Sequence, residues 1–399
     1  MELGGATGRW QDARVVGLVG AAHFVSHVYF MVLPPLFAFI RADYDASYAE
    51  LGVALAAFNI VSTLLQPAAG FLVDRLAPRP LLVAALVLGS SGLVVVGVLP
   101  FYWALVAGSV LSGLANTIYH PADYAILSDA VGARRVGQAF SLHTFFGMLG
   151  TAVTPAWMLF CAVRWGWHGA VLSAAALGYV VAIVLVLQKR AFGDGIASPV
   201  AARRLARTRV GWDKLLSWPI LRNVVFFLLL SMAGAGISNF SIVALGALYG
   251  TSLTVANMAL SAFLLLNAAG VLAGGIVAAR TVRHATVALW GFALSGAVVL
   301  LIALVPLGTA LLVLAMATTG FLSGIIAPSR DMIVRAVTPA GAFGTVFGFV
   351  STGFSIGGSV SPLLFGWLMD QNQPRLVFLL VVAFSAAALP LVRHRPAAG

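Results

Sequence analysis

The sequence predicts an all-α membrane protein with twelve transmembrane helices in two six-helix halves related by pseudo-symmetry. Three observations lead to this fold class. Apolar residues make up 61% of the 399-residue chain and charged residues only 9%, against roughly 25% charged in soluble domains. Apolar runs of about 20 residues, enough for a helix that crosses a bilayer, alternate with short polar links. A pattern of proline and glycine in the first half of the chain returns in the second half.

Each of the twelve apolar runs is interpreted as one transmembrane helix. The first run lacks a cleavage site of small residues and is followed directly by further spans, so we expect a retained helix and not a signal peptide. The predicted spans cover residues 14–39, 48–73, 80–99, 102–127, 136–161, 167–188, 220–249, 253–279, 285–305, 308–334, 342–369 and 375–392.

The internal repeat links residues 121–155 to the residues 207 positions later. Most of the matched residues are glycine, which widens the choice of backbone conformation, or proline, which restricts it. Repeats of this size in membrane proteins are typical of transporters, whose substrate sites lie between the repeats. The matches pair Pro121 with Pro328, Ile126 with Ile333, Gly137 with Gly344, Phe140 with Phe347, Gly150 with Gly357 and Pro155 with Pro362, and the same register sets Asp123 opposite Arg330.

The formal charge of +11 follows the membrane topology. If both termini are cytoplasmic, nearly all Lys and Arg residues fall in cytoplasmic segments, and only Arg41, Arg164 and Arg375 fall on the other side. The positive-inside rule therefore predicts a multi-pass protein of a cell inner membrane with both termini in the cytoplasm. No basic module with interleaved aromatic residues is present, so we expect no nucleic-acid partner.

A basic segment divides the chain. Residues 189–219 carry seven Lys and Arg residues and are interpreted as a cytoplasmic linker. This linker separates an N-terminal six-helix bundle, residues 1–188, from a C-terminal six-helix bundle, residues 220–399. Its charges suit either a solvated linker or contact with anionic lipid head groups.

The junction of spans 2 and 3 carries a recognisable motif. Gly70, Asp74 and Arg75 stand in the spacing G-x-x-x-D-R, and Gly275 and Arg280 form a partial second copy in which Ala279 replaces the aspartate. This pattern resembles the signature of the major facilitator superfamily, whose fold has twelve helices in two halves. The resemblance implies a conformational latch formed by Gly70, Asp74, Arg75 and Arg79.

A second resemblance concerns the type of transporter. Residues 62–67 read S-T-L-L-Q-P and residues 119–121 read Y-H-P, which is similar to the branch of fosmidomycin-resistance-type exporters. In that branch the His-Pro pair is followed by Glu, whereas here Ala122 follows and Asp123 comes next. The resemblance implies efflux of a small molecule and leaves the substrate open.

The chain has no ATP-binding loop, because neither of its two lysines, Lys189 and Lys214, precedes Ser or Thr. Uphill transport then needs an ion gradient and an ionisable group at membrane depth. Asp123 is the predicted proton carrier, assisted by His120 and by His143. The alternative is a structural ion pair between Asp123 and Arg330 or a histidine.

Substrate contacts are expected from polar groups in spans 1, 2, 4, 7 and 10. Arg330 is a candidate anion-binding group, although Asp331 beside it can neutralise its charge. His23 and His27 lie four residues apart on one side of span 1 and could form an N/O metal site with His120 and Asp123. We nevertheless assign no metal and no cofactor. The predicted substrate-binding residues are His23, His27, Asn59, Tyr119, Asn239 and Arg330.

These features predict a non-enzymatic, proton-coupled secondary transporter that exports a small organic solute or drug by antiport and alternating access. Uptake of a small organic anion, such as a monocarboxylate, by proton symport is the first alternative. A membrane sensor or assembly factor without transport activity is the second. We expect a monomer whose partners are its solute, protons and membrane lipids.

Overall fold

The computed structural model describes residues 3–132, 135–192, 211–338 and 343–392, and in these ranges the regular structure is entirely helical. Most of the predicted linker, 193–210, lies outside the described residues. The helices are α1 Leu3–Met31, α2 Phe37–Tyr44, α3 Tyr48–Arg75, α4 Pro78–Val98, α5 Tyr102–Ala130, α6 Val136–Leu187, α7 Trp212–Leu215, α8 Trp218–Tyr249, α9 Leu253–Arg280, α10 His284–Leu304, α11 Thr309–Ala336, α12 Phe343–Asp370 and α13 Pro374–Val392, with 3-10 turns at Pro34–Leu36 and Lys189–Phe192.

Within the described ranges, ten helical stretches are long and apolar enough to cross a membrane. One of them, α6, has 52 residues and consists of two helical stretches joined at Gly166, whose backbone is non-helical with a φ of 73°. It therefore contains two of the predicted spans. The more polar α5, with 29 residues, corresponds to the remaining predicted span, 102–127. The prediction of an all-α membrane protein is confirmed.

Local sequence signals explain where several helices begin and end. Pro78 occupies the first position of α4, where its missing N–H is not needed. Gly250 ends α8 in the left-handed conformation. Ser252 begins α9 and accepts a hydrogen bond from the backbone N–H of Val255. These caps satisfy backbone groups that the helix itself leaves unpaired.

The chain forms two compact units. The first unit contains Met1–Tyr44 and Ala57–Leu205, and the second contains Asp45–Ala56 and Ala206–Gly399. Helix α3 is therefore shared, because its first residues belong to the second unit and its remainder to the first. The domain limits expected at residues 188 and 220 stay a prediction.

In the first unit, α1 packs against α6 and α5, and α4 packs against both α5 and α6. In the second unit, α9 packs on α11 and α8 packs on α12 and α13. A core of aromatic and aliphatic side chains that includes Phe226, Phe227 and Phe292 fills the second unit. The packing of α1 against α5 and α6 brings the ionisable residues of these helices together.

Candidate functional site

A cluster of four histidines and one aspartate lies inside the first unit. Helix α1 supplies His23 and His27, α5 supplies His120 and Asp123, and α6 supplies His143. Residues three or four positions apart lie on the same side of a helix, so α1 and α5 each present two side chains to the cluster. The His23, Asp123 and His143 residues are no more than 2% exposed, whereas His27 and His120 are half-buried.

Asp123 and His143 form the best-aligned polar contact of the cluster. Oδ2 of Asp123 lies 2.9 Å from Nε2 of His143, and an ionised carboxylate accepts a hydrogen bond from this ring N–H. Nδ1 of His23 is 3.3 Å from the same oxygen but is not aligned for a hydrogen bond. Both histidines therefore approach the same oxygen of Asp123, but only His143 forms a hydrogen bond with it.

His23 is the centre of the cluster. Its ring stacks on the ring of His143, with 3.6 Å between their centroids. The rings of His27 and His120 approach it edge-on, with centroids 4.7 Å and 5.0 Å away. Three imidazoles thus contact one central imidazole, and Asp123 is the carboxylate of the described residues that pairs with this group.

Two small residues of α6 make room for α1. A methyl group at Gly147 would lie 2.7 Å from ring atoms of both His23 and His27, and one at Gly150 would lie 2.4 Å from the backbone carbonyl oxygen of Phe24. Thr151, one residue further along, places its Oγ1 atom 2.8 Å from Nδ1 of His27. This hydrogen bond determines which ring nitrogen of His27 remains available to the cluster.

Several buried polar atoms of the cluster have no hydrogen-bond partner among the described residues. They are Nδ1 of His23, Nδ1 of His143, Oδ1 of Asp123 and the hydroxyl of Tyr119. Buried polar groups are nearly always hydrogen-bonded, because leaving them unpaired costs free energy. The site therefore has unused capacity for a proton, a polar solute group or an ion.

Three histidines of the cluster lie close enough together to be considered as metal ligands. One ring nitrogen from each of His23, His120 and His143 lies within 4.8 Å of the others. Imidazole and carboxylate ligands suit divalent ions of the late first-row transition metals. The single cysteine, Cys161, is buried and belongs to a later part of α6.

The remaining predicted solute-binding residues are distributed over both units. Asn59 is half-buried on α3 and Tyr119 is 1% exposed on α5, and both belong to the first unit. Asn239 is 7% exposed on α8 in the second unit. Only His23, His27 and Tyr119 of the predicted solute-binding residues lie on the helices that form the histidine cluster.

Arg330 belongs to the second unit, where its guanidinium contacts a carboxylate and two aromatic rings. It pairs with Asp331, 2.8 Å away, and lies over the rings of Phe227 at 4.8 Å and Phe354 at 5.2 Å from their centroids. The pairing with Asp331 that the sequence left open is thus present. The cation–π contacts and the ion pair occupy the guanidinium of Arg330, so this group is less available to bind a solute.

The predicted latch residues have separate environments. Arg79 donates hydrogen bonds of 2.9–3.2 Å to the backbone carbonyls of Leu185 and Val186 and so caps the end of α6. Arg75 is exposed, and Gly70 has no atom within 4 Å of where a methyl group would be. The side chain of Asp74 lies outside the described residues, so the latch stays a prediction.

The sequence interpretation overlooked two residues of the site, Gly147 and Thr151. The sequence does contain a pattern that could have indicated them. Gly147, Gly150 and Thr151 form a run of small residues spaced three and four apart on α6, which lets two helices approach closely. Their relation to the histidines depends on α1 lying against this run of α6.

The whole chain resembles known membrane transporters. It is 24% identical to the fosmidomycin resistance protein of Escherichia coli (strain K12) over 96% of this chain and 94% of that protein. It is 23% identical to the multidrug resistance protein MdtH of Salmonella arizonae over 88% of this chain and 86% of that protein.

A solved structure shares the fold. The bacterial homolog of the human lysosomal transporter Spinster, in an inward-facing and occupied conformation, superposes with a TM-score of 0.79 at 13% identity over 95% of this chain and 96% of that one. The sequence pattern of the Major Facilitator Superfamily matches residues 19–253 and 224–398. The family expected from the sequence is therefore confirmed, and the chain belongs to the Major Facilitator Superfamily.

Proposed function

We propose that this protein is a proton-coupled secondary transporter that exports a small organic solute or drug across the inner membrane by antiport. The observation that carries the proposal is the buried contact between Asp123 and His143 inside a cluster of histidines. Ionisable residues within membrane spans are costly to bury and are usually retained for transport of ions or solutes. Asp123 is the proposed proton carrier, and His120 and His143 are the proposed groups that accept or return its proton.

Export is favoured over uptake by two observations. The relatives that match over most of this chain carry names that describe resistance to fosmidomycin and to multiple drugs. Arg330, the group on which uptake of an organic anion would depend, is occupied by Asp331 and two phenylalanine rings. A sensor without transport activity is the less favoured function, because such a protein has no use for a buried carboxylate.

The proposed cycle follows from the chemistry of the cluster. A proton on Asp123 removes its negative charge and with it the attraction for the imidazole of His143. Loss of the proton restores the charged pair. Because the two protonation states differ in their interactions, each can favour a different arrangement of the helices around the site. Alternation between the two arrangements would couple proton entry to solute exit.

Two assays test the proposal. Expression of the chain in a bacterium that lacks its own exporters should raise resistance to fosmidomycin or to another compound of a drug panel. Purified protein in proteoliposomes should then produce a solute-driven pH change for that compound. Asp123→Asn should abolish the pH change, while Asp129→Asn, an exposed aspartate on the same helix, should not.

Proton-coupled flux that persists in Asp123→Asn would contradict the role of this carboxylate. Flux that occurs in the wild type without any pH change would contradict proton coupling altogether. Accumulation of the solute inside expressing cells would show uptake and overturn the proposed direction.

A further inference from the structure

We propose that His23, His120, His143 and Asp123 form a binding site for a divalent transition-metal ion, with Zn²⁺ as the expected ion, and that a bound ion stops transport. The binding itself is independent of the function proposed above, and only its inhibitory effect rests on that function. The four residues come from three helices of one unit, so the site needs no other part of the chain.

The choice of ion follows from the donor atoms. Three imidazole nitrogens and one carboxylate oxygen make an N₃O set, which suits Zn²⁺, Co²⁺ and Ni²⁺ better than Ca²⁺ or Mg²⁺, because those two ions prefer oxygen ligands. No thiolate takes part, since the only cysteine, Cys161, lies 18 residues beyond His143 on α6. Catalytic zinc sites commonly use such combinations of histidine and carboxylate.

One pair of the proposed donor atoms has the separation that a tetrahedral ion requires. Zinc–nitrogen bonds of about 2.0–2.1 Å in tetrahedral geometry place neighbouring donors about 3.4 Å apart. Oδ2 of Asp123 and Nδ1 of His23 are 3.3 Å apart. The three histidine nitrogens lie within 4.8 Å of one another, so small rotations of the imidazole rings complete the set.

Unpaired polar atoms independently point to a ligand. Nδ1 of His23 and Oδ1 of Asp123 are buried and have no hydrogen-bond partner in the part of the chain that the structure describes. The carboxylate of Asp123 makes one aligned hydrogen bond, to His143, and leaves Nδ1 of His23 unpaired among the described residues. A divalent ion gives these lone pairs a partner and balances the charge of Asp123 in a buried space.

The surroundings of the four residues also suit a metal site. The rings of His143 and His23 lie against each other, with 3.6 Å between their centroids, so the two ligands are already neighbours. His120 is half-buried, so the cluster is least enclosed at this residue, and we expect an ion to enter there. A bound ion would occupy the oxygen and nitrogen atoms that the proposed proton exchange uses, and it would therefore block that exchange.

The test is a titration of the purified, tag-free full chain in detergent with Co²⁺, which reports tetrahedral coordination by intense visible absorption. We expect one Co²⁺ per chain and loss of the absorption on addition of Zn²⁺. His120→Ala should weaken the affinity by more than the roughly 10–100-fold that loss of a supporting residue causes, because it removes a ligand. His168→Ala is the matched control, since His168 is a partly exposed histidine of the same unit that lies beside Asp43.

The wild-type titration decides the question even if a variant fails to fold. The inference is overturned if the wild type binds no Co²⁺ at millimolar concentration or binds it only with weak octahedral absorption. Equal binding by His120→Ala would also overturn it, because the ion would then sit elsewhere.

Proton flux measured in the presence of a chelator tests the proposed function separately. Normal flux without Co²⁺ binding removes the metal site alone, and Co²⁺ binding without flux removes the transport proposal alone.

Discussion

Oδ2 of Asp123 lies 2.9 Å from Nε2 of His143, and both side chains are almost completely buried. If the two groups interact as a unit, their replacements are non-additive. We expect Asp123→Asn and His143→Gln to lower the thermal stability of the detergent-solubilised protein by less in combination than the sum of the single effects. The expected coupling is about 0.5–3 kcal/mol. Additive effects, within the error of the melting curves, would contradict a direct interaction.

Asp370, the last residue of α12, caps the beginning of α3 within the second unit. Its carboxylate accepts hydrogen bonds from the backbone N–H groups of Tyr48 (2.7 Å) and Ala49 (2.8 Å). Ser47 and Glu50 complete the cap by reciprocal hydrogen bonds. We expect Asp370→Ala to lower stability by about 1 kcal/mol, because it removes both a cap and a charge at a helix N-terminus.

Asp370→Asn is the matched comparison, since an amide oxygen keeps one acceptor without the charge. Its melting temperature should fall between those of the wild type and Asp370→Ala. High salt should narrow the gap between wild type and Asp370→Asn, because salt screens the interaction of the charge with the helix end. If all three proteins melt together, the contact contributes nothing measurable.

Gly147 of α6 lies directly against the histidine cluster and leaves no room for a larger side chain. A methyl group there would approach the rings of His23 and His27 to 2.7 Å, so Gly147→Ala must displace both imidazoles. We expect a large loss of transport and of Co²⁺ binding. Gly137→Ala, on the same helix with open space around it, should leave both activities near the wild-type level.

Comparing the melting of Gly147→Ala with that of Gly137→Ala distinguishes a local effect on the histidines from a general loss of stability. Glycine-to-alanine changes inside a helix favour the helix by roughly 0.5–1 kcal/mol when there is space. Gly137→Ala should therefore melt no lower than the wild type. Full transport by Gly147→Ala would show that the arrangement of His23 and His27 is not needed.

Arg330 makes contacts typical of a structural residue. Its guanidinium pairs with Asp331 and stacks on Phe227 and Phe354. We expect Arg330→Lys to lower stability by about 0.5–2 kcal/mol, because lysine keeps the charge and loses the planar stacking. Transport per folded molecule should remain. Loss of transport in Arg330→Lys without a change in melting would instead support a role for Arg330 in solute binding.

The helices and their caps could be predicted from the sequence because they depend on neighbouring residues. Apolar runs of span length give the transmembrane helices, and Ser47, Pro78 and Gly250 stand where helices begin or end. Gly166 is a further example. It lies between the predicted spans 136–161 and 167–188, and its non-helical backbone conformation, with φ of 73° and ψ of 166°, separates two helical stretches there.

The identity of the ionisable residues within the spans also follows from the sequence, because charge and imidazole are conspicuous in apolar runs. The sequence by itself thus determined a membrane transporter with Asp123 and several histidines at membrane depth. Tertiary structure alone decided their partners. Asp123 contacts His143 on another helix, 20 residues away, and its neighbour His120 on α5 approaches the ring of His23. The physical reason is that helix rotation and helix packing set which side chains meet, and both depend on contacts between residues far apart in the chain.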